Sequence, residues 1–254
     1  MKFSVYISTS LMIIASVFLF PGFLFPEYAW SSDVSGKGSL REAPPIQENN
    51  LQDSPEKMIG KSSHILLVRN MNPTSIDIRI FALEKRNGRW QSPFAAVDGV
   101  IGRNGFAAPG EKREGDGRTP SGIFPLGTVF GYQASFPTRM PYRQATVDDL
   151  WVDDVHADDY NRWVTRGTTK ASSFEKMRRD DNLYKLGVVV EYNTNPVVKG
   201  YGSAIFFHLW RGKGLATEGC VALSEEDLIK IVRWLDPATG PLVVMGTSVM
   251  IGGY

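Results

Sequence analysis

The chain has 254 residues, enough for one generous domain or two small ones, and 43% of them are hydrophobic, as in proteins that bury a real core. Lysine and arginine number 28 against 27 aspartates and glutamates, a formal net charge of +1. With no long run of like charge, the sequence lacks the concentrated basic surface that nucleic acid binding requires.

Met1-Lys2 lead an apolar run that ends near Phe20, followed by Pro21-Gly22 and by Ala29-Trp30-Ser31. A cationic start, an apolar stretch and small residues at minus three and minus one read as a secretory signal peptide over residues 1–31, cleaved after Ser31. The competing reading is an uncleaved membrane anchor, since the apolar stretch approaches the length that spans a bilayer. No cysteine stands near the cleavage region to carry a lipid. Both readings place the bulk of the chain outside the cytoplasm. Residues 32–61 are poor in large apolar side chains and read as a flexible linker, leaving 62–254 as the folded domain.

Residues 64–69 and 75–84 read as strands, and Asn87-Gly88 centres a hairpin turn within 85–90. Residues 97–128 are dense in glycine, but Gly115, Gly117 and Gly122 open no helix and carry no Gly-Lys-Ser/Thr, so a phosphate cradle is not indicated. Pro120 and Pro125 belong at strand edges and turns, and the segment reads as loops between short strands. Residues 132–182 are polar and aromatic. The pairs Asp148/Asp149, Asp153/Asp154 and Asp158/Asp159 lack the spacing of a calcium loop and read as solvated carboxylates, with His156 a surface residue. Lys176, Arg178 and Arg179, followed by Asp180 and Asp181, read as a solvated helix end.

Residues 187–192 and 202–210 are strands again, with His208 near the end of the second. Residues 224–235 form the clearest helix: Ser224 caps it, Asp227 stands at the third position, and Leu228, Ile231, Val232 and Leu235 make an apolar stripe. Asp236-Pro237 ends it. Residues 241–245 and 248–251 finish as strands. The fold class is mainly β with one or two helices, a β-rich α+β domain.

Cys220 is the only cysteine, and His208, one of three histidines, lies twelve positions upstream. An odd thiol in an exported chain is either reactive or a small buried hydrophobe. A free thiol has a pKa of about 8.5 and attacks as the thiolate, so a catalytic cysteine needs a base or cation beside it. Imidazole is the usual partner, and such a pair can rest as thiolate and imidazolium. Gly219 permits a sharp turn and leaves the N–H groups of Gly219 and Cys220 unshielded, as an oxyanion hole needs. The residues alone leave a catalytic and a packing role both open.

The stretches Ile101-Gly-Arg-Asn-Gly105, Gly115-Asp-Gly-Arg-Thr-Pro-Ser-Gly-Ile-Phe-Pro125, Glu191-Tyr-Asn193 and Phe207-His208 through Gly219-Cys220-Val221 together resemble the YkuD-like L,D-transpeptidase family. The resemblance covers roughly residues 62–251. It implies an L,D-transpeptidase-like β-sandwich or open barrel and a bacterial enzyme of the periplasm or cell envelope. It implies peptidoglycan stem peptides as substrate, a part in cell-wall biogenesis and cell shape, and no metal or organic cofactor. Carried over by residue, Cys220 is the nucleophile, His208 its general base, the Leu209 carbonyl the group that orients the ring, and Gly219 with Cys220 the backbone oxyanion donors. The implied cycle forms a Cys220 thioester at the L-centre carbonyl of diaminopimelate with release of D-alanine. An acceptor amine then takes the acyl group. Water in its place makes an L,D-carboxypeptidase, and loss of chemistry altogether leaves a wall-binding domain.

Two positions depart from the family pattern: Glu218 replaces a histidine and Ala222 an arginine, and the His208–Cys220 spacing is short. A carboxylate beside a thiol raises its pKa, so Glu218 is expected to point away from the sulfur. Tyr192, Asn193, Trp210 and Thr217, near strand ends, are candidate substrate-binding residues, although core packing accounts for the two aromatics equally well.

Overall fold

Alternation sets the frame of the fold. The computed structural model describes residues 59–247 apart from Met71 and Pro73. The signal or anchor segment, nearly all of the linker and the strand expected at 248–251 lie outside the described residues. In β2 (Asp77–Arg86) Ile78, Ile80 and Ala82 are buried on one face, and the strand pairs antiparallel with β1 (His64–Asn70). The turn through Asn87 and Gly88, at φ 50° and 76°, carries the chain into β3 (Arg89–Gln91), as an Asn-Gly hairpin should.

Then follow β4 (Val97–Val100), β5 (Gly122–Gly131), β6 (Tyr142–Gln144), β7 (Asp149–Val152), β8 (Trp163–Thr165), β9 (Phe174–Lys176) and β10 (Leu186–Val190). The chain ends in β11 (Phe206–Leu209), β12 (Val221–Leu223), α1 (Glu225–Trp234) and β13 (Leu242–Gly246). Pairing runs β1-β13-β5-β10-β11-β12-β4-β2 and returns from β2 to β1, so the sheet closes on itself. Closure leaves no open edge in the ring, and β3 and β6 are attached to it as short extensions. The largest apolar cluster joins Leu66, Val68, Ile80, Phe207, Val221 and Leu223 to the α1 stripe of Leu228, Ile231 and Val232. Ser224 caps α1 as expected, its Oγ accepting from the Asp227 N–H at 3.1 Å and donating to the Asp227 carboxylate at 2.7 Å.

Two segments differ from expectation. The glycine-rich stretch read as loops holds most of the ten-residue β5, with Pro125 well inside a central strand. The Pro125 carbonyl accepts from the Glu191 N–H on the β10 side, so its missing N–H also faces β10, where the ladder shifts register between Val188 and Val190. A bulge on the partner strand is what makes the proline tolerable there. Residues 132–182 are not solvated loops either: β7 pairs with β8 and β9 in a separate three-stranded sheet, and Lys176 ends β9 rather than a helix. Asp149, read as solvated, is buried and accepts from Thr146 Oγ1, Trp163 Nε1 and Arg143 at 2.7 Å each. His156 is exposed, as expected.

A second apolar cluster of Phe130, Trp151, Met177, Tyr184, Val189, Phe206 and Cys220 lies between the small sheet and the outer face of β5, β10 and β11. Gly187 makes its packing possible, because a Cβ there would sit 2.3 Å from Phe130 Cζ.

Candidate active site

Register decides which side chains meet. β11 and β12 run parallel with Phe207 opposite Val221 and His208 opposite Ala222. Phe207, Val221 and Leu223 belong to the main core, so the alternate residues Phe206, His208 and Cys220 share the other face. A diagonal pair on adjacent strands lies within reach of a long side chain. His208 and Cys220 both line one cavity of about 270 Å³.

The Cys220 thiol donates to the Ala204 carbonyl at 3.2 Å and its sulfur accepts from the Phe206 N–H at 3.4 Å. His208 Nδ1 donates to the Leu209 carbonyl at 2.7 Å, which leaves Nε2 as the basic nitrogen of the neutral ring. The Tyr184 ring meets the imidazole edge to face, centroids 5.2 Å apart. Only 8% of Cys220 and 6% of His208 is exposed. Burial pushes the thiol up to about 12, opposed in part by the Phe206 N–H, and holds the imidazole down to about 4 despite the Leu209 carbonyl. The pair therefore rests as thiol and neutral imidazole, rather than as the thiolate and imidazolium that such pairs can also adopt. Loss of hydration costs each ion more here than its neighbours return.

The turn before Cys220 is built on Thr217 and Gly219. Thr217 Oγ1 donates to the Cys220 carbonyl at 2.7 Å and accepts from the Gly219 N–H at 3.2 Å. The expectation of an unshielded Gly219 N–H is thus corrected: a hydroxyl two residues earlier takes it, in a local side-chain turn. Gly219 has φ +152°, and a Cβ there would stand 3.0 Å from the Arg118 carbonyl. Glu218 reaches the rim of the cavity, its side chain 77% exposed and its carboxylate paired with Arg103.

Of the four candidate binding residues, Trp210 and Thr217 border the cavity. Tyr192 and Asn193 belong to the adjoining loop: Tyr192 packs on Phe124, and the Asn193 side chain bonds the backbone of Val198 and Gly202. The residues that sequence reasoning missed are charged. Lys112, Glu114, Asp153, Glu175, Arg179 and Asp181 line the same cavity. Glu114 accepts from Tyr160 and from the Ser203 hydroxyl, the latter at 2.7 Å. Burial pushes the carboxyls of Asp153 and Glu175 up, the latter against the pull of Arg179. Among the described residues no group of three His, Cys, Asp or Glu is placed to hold a metal ion, and no helix is long and apolar enough to cross a membrane.

The family model for the L,D-transpeptidase catalytic domain (YkuD) matches residues 77–251. The chain belongs to the YkuD L,D-transpeptidase catalytic-domain family. Among solved structures it is similar to the helical cell shape determining protein Pgp2 from Campylobacter jejuni, with a TM-score of 0.36 and 16% identity over 73% of this chain and 47% of that one. A lysine-to-alanine mutant of the same protein gives a TM-score of 0.35 and 17% identity over the same shares, 73% and 47%. The chain thus spans about half the length of the structures it matches. No curated protein matches it.

Proposed function

We propose that the protein is an exported, cysteine-dependent L,D-transpeptidase acting on peptidoglycan stem peptides in the bacterial cell envelope, with its N-terminal segment serving as signal or anchor. One observation carries the reading: in a chain of this family, the sole thiol and an imidazole oriented through Nδ1 share one strand face and one cavity.

Because both groups rest neutral, attack and proton transfer are coupled. As the Cys220 sulfur bonds to the carbonyl carbon of the L-centre of diaminopimelate, its proton passes to His208 Nε2 and the carbonyl oxygen takes the negative charge. That oxygen accepts from the Cys220 N–H, and from the Gly219 N–H once it leaves Thr217 Oγ1. Collapse breaks the C–N bond, and D-alanine departs with the proton from His208. An acceptor amine, deprotonated by His208, then attacks the thioester and frees the thiol. Water in place of the amine gives carboxypeptidase activity.

Incubation with tetrapeptide muropeptides and separation of products by mass tests this. Cross-linked dimers with D-alanine release are expected; tripeptide monomers alone mean hydrolysis. Cys220→Ala abolishes both. If wild-type protein yields neither product, the domain is a wall-binding module.

A further inference from the structure

A buried lysine on the cavity wall is given no step in the cysteine–histidine cycle proposed above. Lys112 is 4% exposed, and a buried ammonium is costly unless its protons are bonded. Its Nζ donates to Asp116 Oδ1 and to the Arg113 carbonyl, each at 2.6 Å, which uses two of three protons. Asp116 is itself shared, for Oδ1 also accepts from the Arg118 N–H and Oδ2 from the Arg113 N–H, both at 2.8 Å. One carboxylate thus serves an ammonium and two backbone dipoles.

The lysine stem is held in place. Gly202, at φ +96°, would bring a Cβ to 3.1 Å from both Lys112 Cγ and Cε, so a larger residue there would displace the lysine. Lys112 is one of the residues that line the cavity holding Cys220 and His208. Its charge is felt at the sulfur, where burial dominates and Lys112 opposes it. Arg179, a half-buried cation of the same wall, is already engaged by Asp181 at 2.6 Å and Glu175 at 3.2 Å.

We propose that Lys112 is a specificity-determining residue that pairs with a carboxylate of the acyl-donor peptide through its third N–H. The proposal rests on the transpeptidase reading, and it names the donor as a stem peptide with a free carboxylate close to the scissile carbonyl. Two groups qualify, the α-carboxylate of the departing D-alanine and the side-chain carboxylate of diaminopimelate. Pairing with the first restricts the enzyme to the terminal peptide bond; pairing with the second selects the diamino acid.

The test uses the synthetic tetrapeptide with all carboxylates free and its singly amidated versions, titrated by calorimetry into full-length Cys220→Ala protein. One amide is expected to bind about 30-fold more weakly than the parent, the size of a lost charge-assisted hydrogen bond. Which amide it is identifies the carboxylate. In Cys220→Ala/Lys112→Met the parent binds as weakly as that amide and the difference between them vanishes, while Lys112→Arg restores part of it. Equal binding of all peptides to Cys220→Ala protein overturns the proposal, as does discrimination that persists in the Lys112→Met protein. Should Lys112→Met fail to fold, Lys112→Gln takes its place with the same two outcomes, and equal binding of all peptides to Cys220→Ala protein overturns the proposal in either case. If the expected pattern is found but wild-type protein forms no product, the transpeptidase reading falls and the carboxylate site stands.

Discussion

Burial of His208 makes the stability of this domain sensitive to acid over a defined window. The imidazole is held at about 4 in the folded chain, against an ordinary value of 6.5. Between those values the unfolded chain carries a proton on this residue that the folded chain does not, so stability falls as the pH falls. The loss begins below about pH 6.5, amounts to about 3 kcal/mol by pH 4, and levels off below that, where both states are protonated. His208 is 6% exposed, so solvent screening removes little of this. The perturbation is the pH itself, and His208→Gln is the reference, since glutamine cannot titrate and its amide can still donate to the Leu209 carbonyl. Denaturant unfolding of both proteins at pH 7, 5.5 and 4 gives the difference in stability at each pH. His64, which is stacked on Trp234 with centroids 4.2 Å apart and is also lowered by burial, shifts both curves alike. The advantage of wild type over His208→Gln is expected to shrink by about 3 kcal/mol from pH 7 to pH 4. Parallel curves would refute the buried, neutral imidazole, and with it the coupled proton transfer proposed for the reaction.

Other consequences are open to simple measurement. With its thiol pushed up to about 12, Cys220 is expected to react with iodoacetamide far more slowly at pH 7.5 than a free thiol of pKa about 8.5, and guanidinium should restore the ordinary rate; rapid alkylation of the native protein would count against a sealed thiol. Gly187→Ala drives a methyl to 2.3 Å from the ring of Phe130, which is buried against Trp163, Tyr184 and Phe206 and cannot retreat. A loss of about 2 kcal/mol in denaturant unfolding is expected, and an unchanged midpoint would show the cluster to be loose. Asp149→Ala strands the donors of Thr146, Trp163 and Arg143 and is expected to cost about 3 kcal/mol, against near-zero for the exposed Asp158→Ala.

What could be read in the sequence was what local chemistry decides. The Asn87-Gly88 hairpin, the alternation of β2 and the Ser224-capped helix are each specified by residues within a few positions of one another. β5 was hidden because the rule that bars proline from central strands is local, whereas the exemption comes from a register shift in β10, some sixty residues away. The β7–β8–β9 sheet was hidden because its strands are three or four residues long and its acidic residues suggested water. Nothing near Asp149 in sequence announces that Trp163 and Arg143 will satisfy its carboxylate. The same division runs through the site. His208 and Cys220 could be paired as candidates because strand alternation and a unique thiol are local facts, while the residues alone left their role open. Lys112 with Glu114, Asp153, and Glu175 with Arg179 reach the cavity from three separate stretches of the chain, and no motif spacing links those stretches.

The neutral resting pair and the charged walls answer different demands on one cavity. An unpaired thiol in an oxidising compartment, the location proposed for this chain, survives longest as a protonated, buried group, because oxidation and disulfide exchange both proceed through the thiolate. On the proposed mechanism that protection also withholds the nucleophile. In the proposed reaction a substrate therefore places its carbonyl against the sulfur, so that bond formation rather than prior ionisation carries the proton to His208. Lys112, held by Asp116 and the Arg113 carbonyl, is suited to orient that substrate in a way the exposed Arg103 and Glu218, which satisfy each other at the rim, are not. On that reading reactivity depends on occupancy, and the residues proposed to recognise the substrate also govern when the thiol reacts.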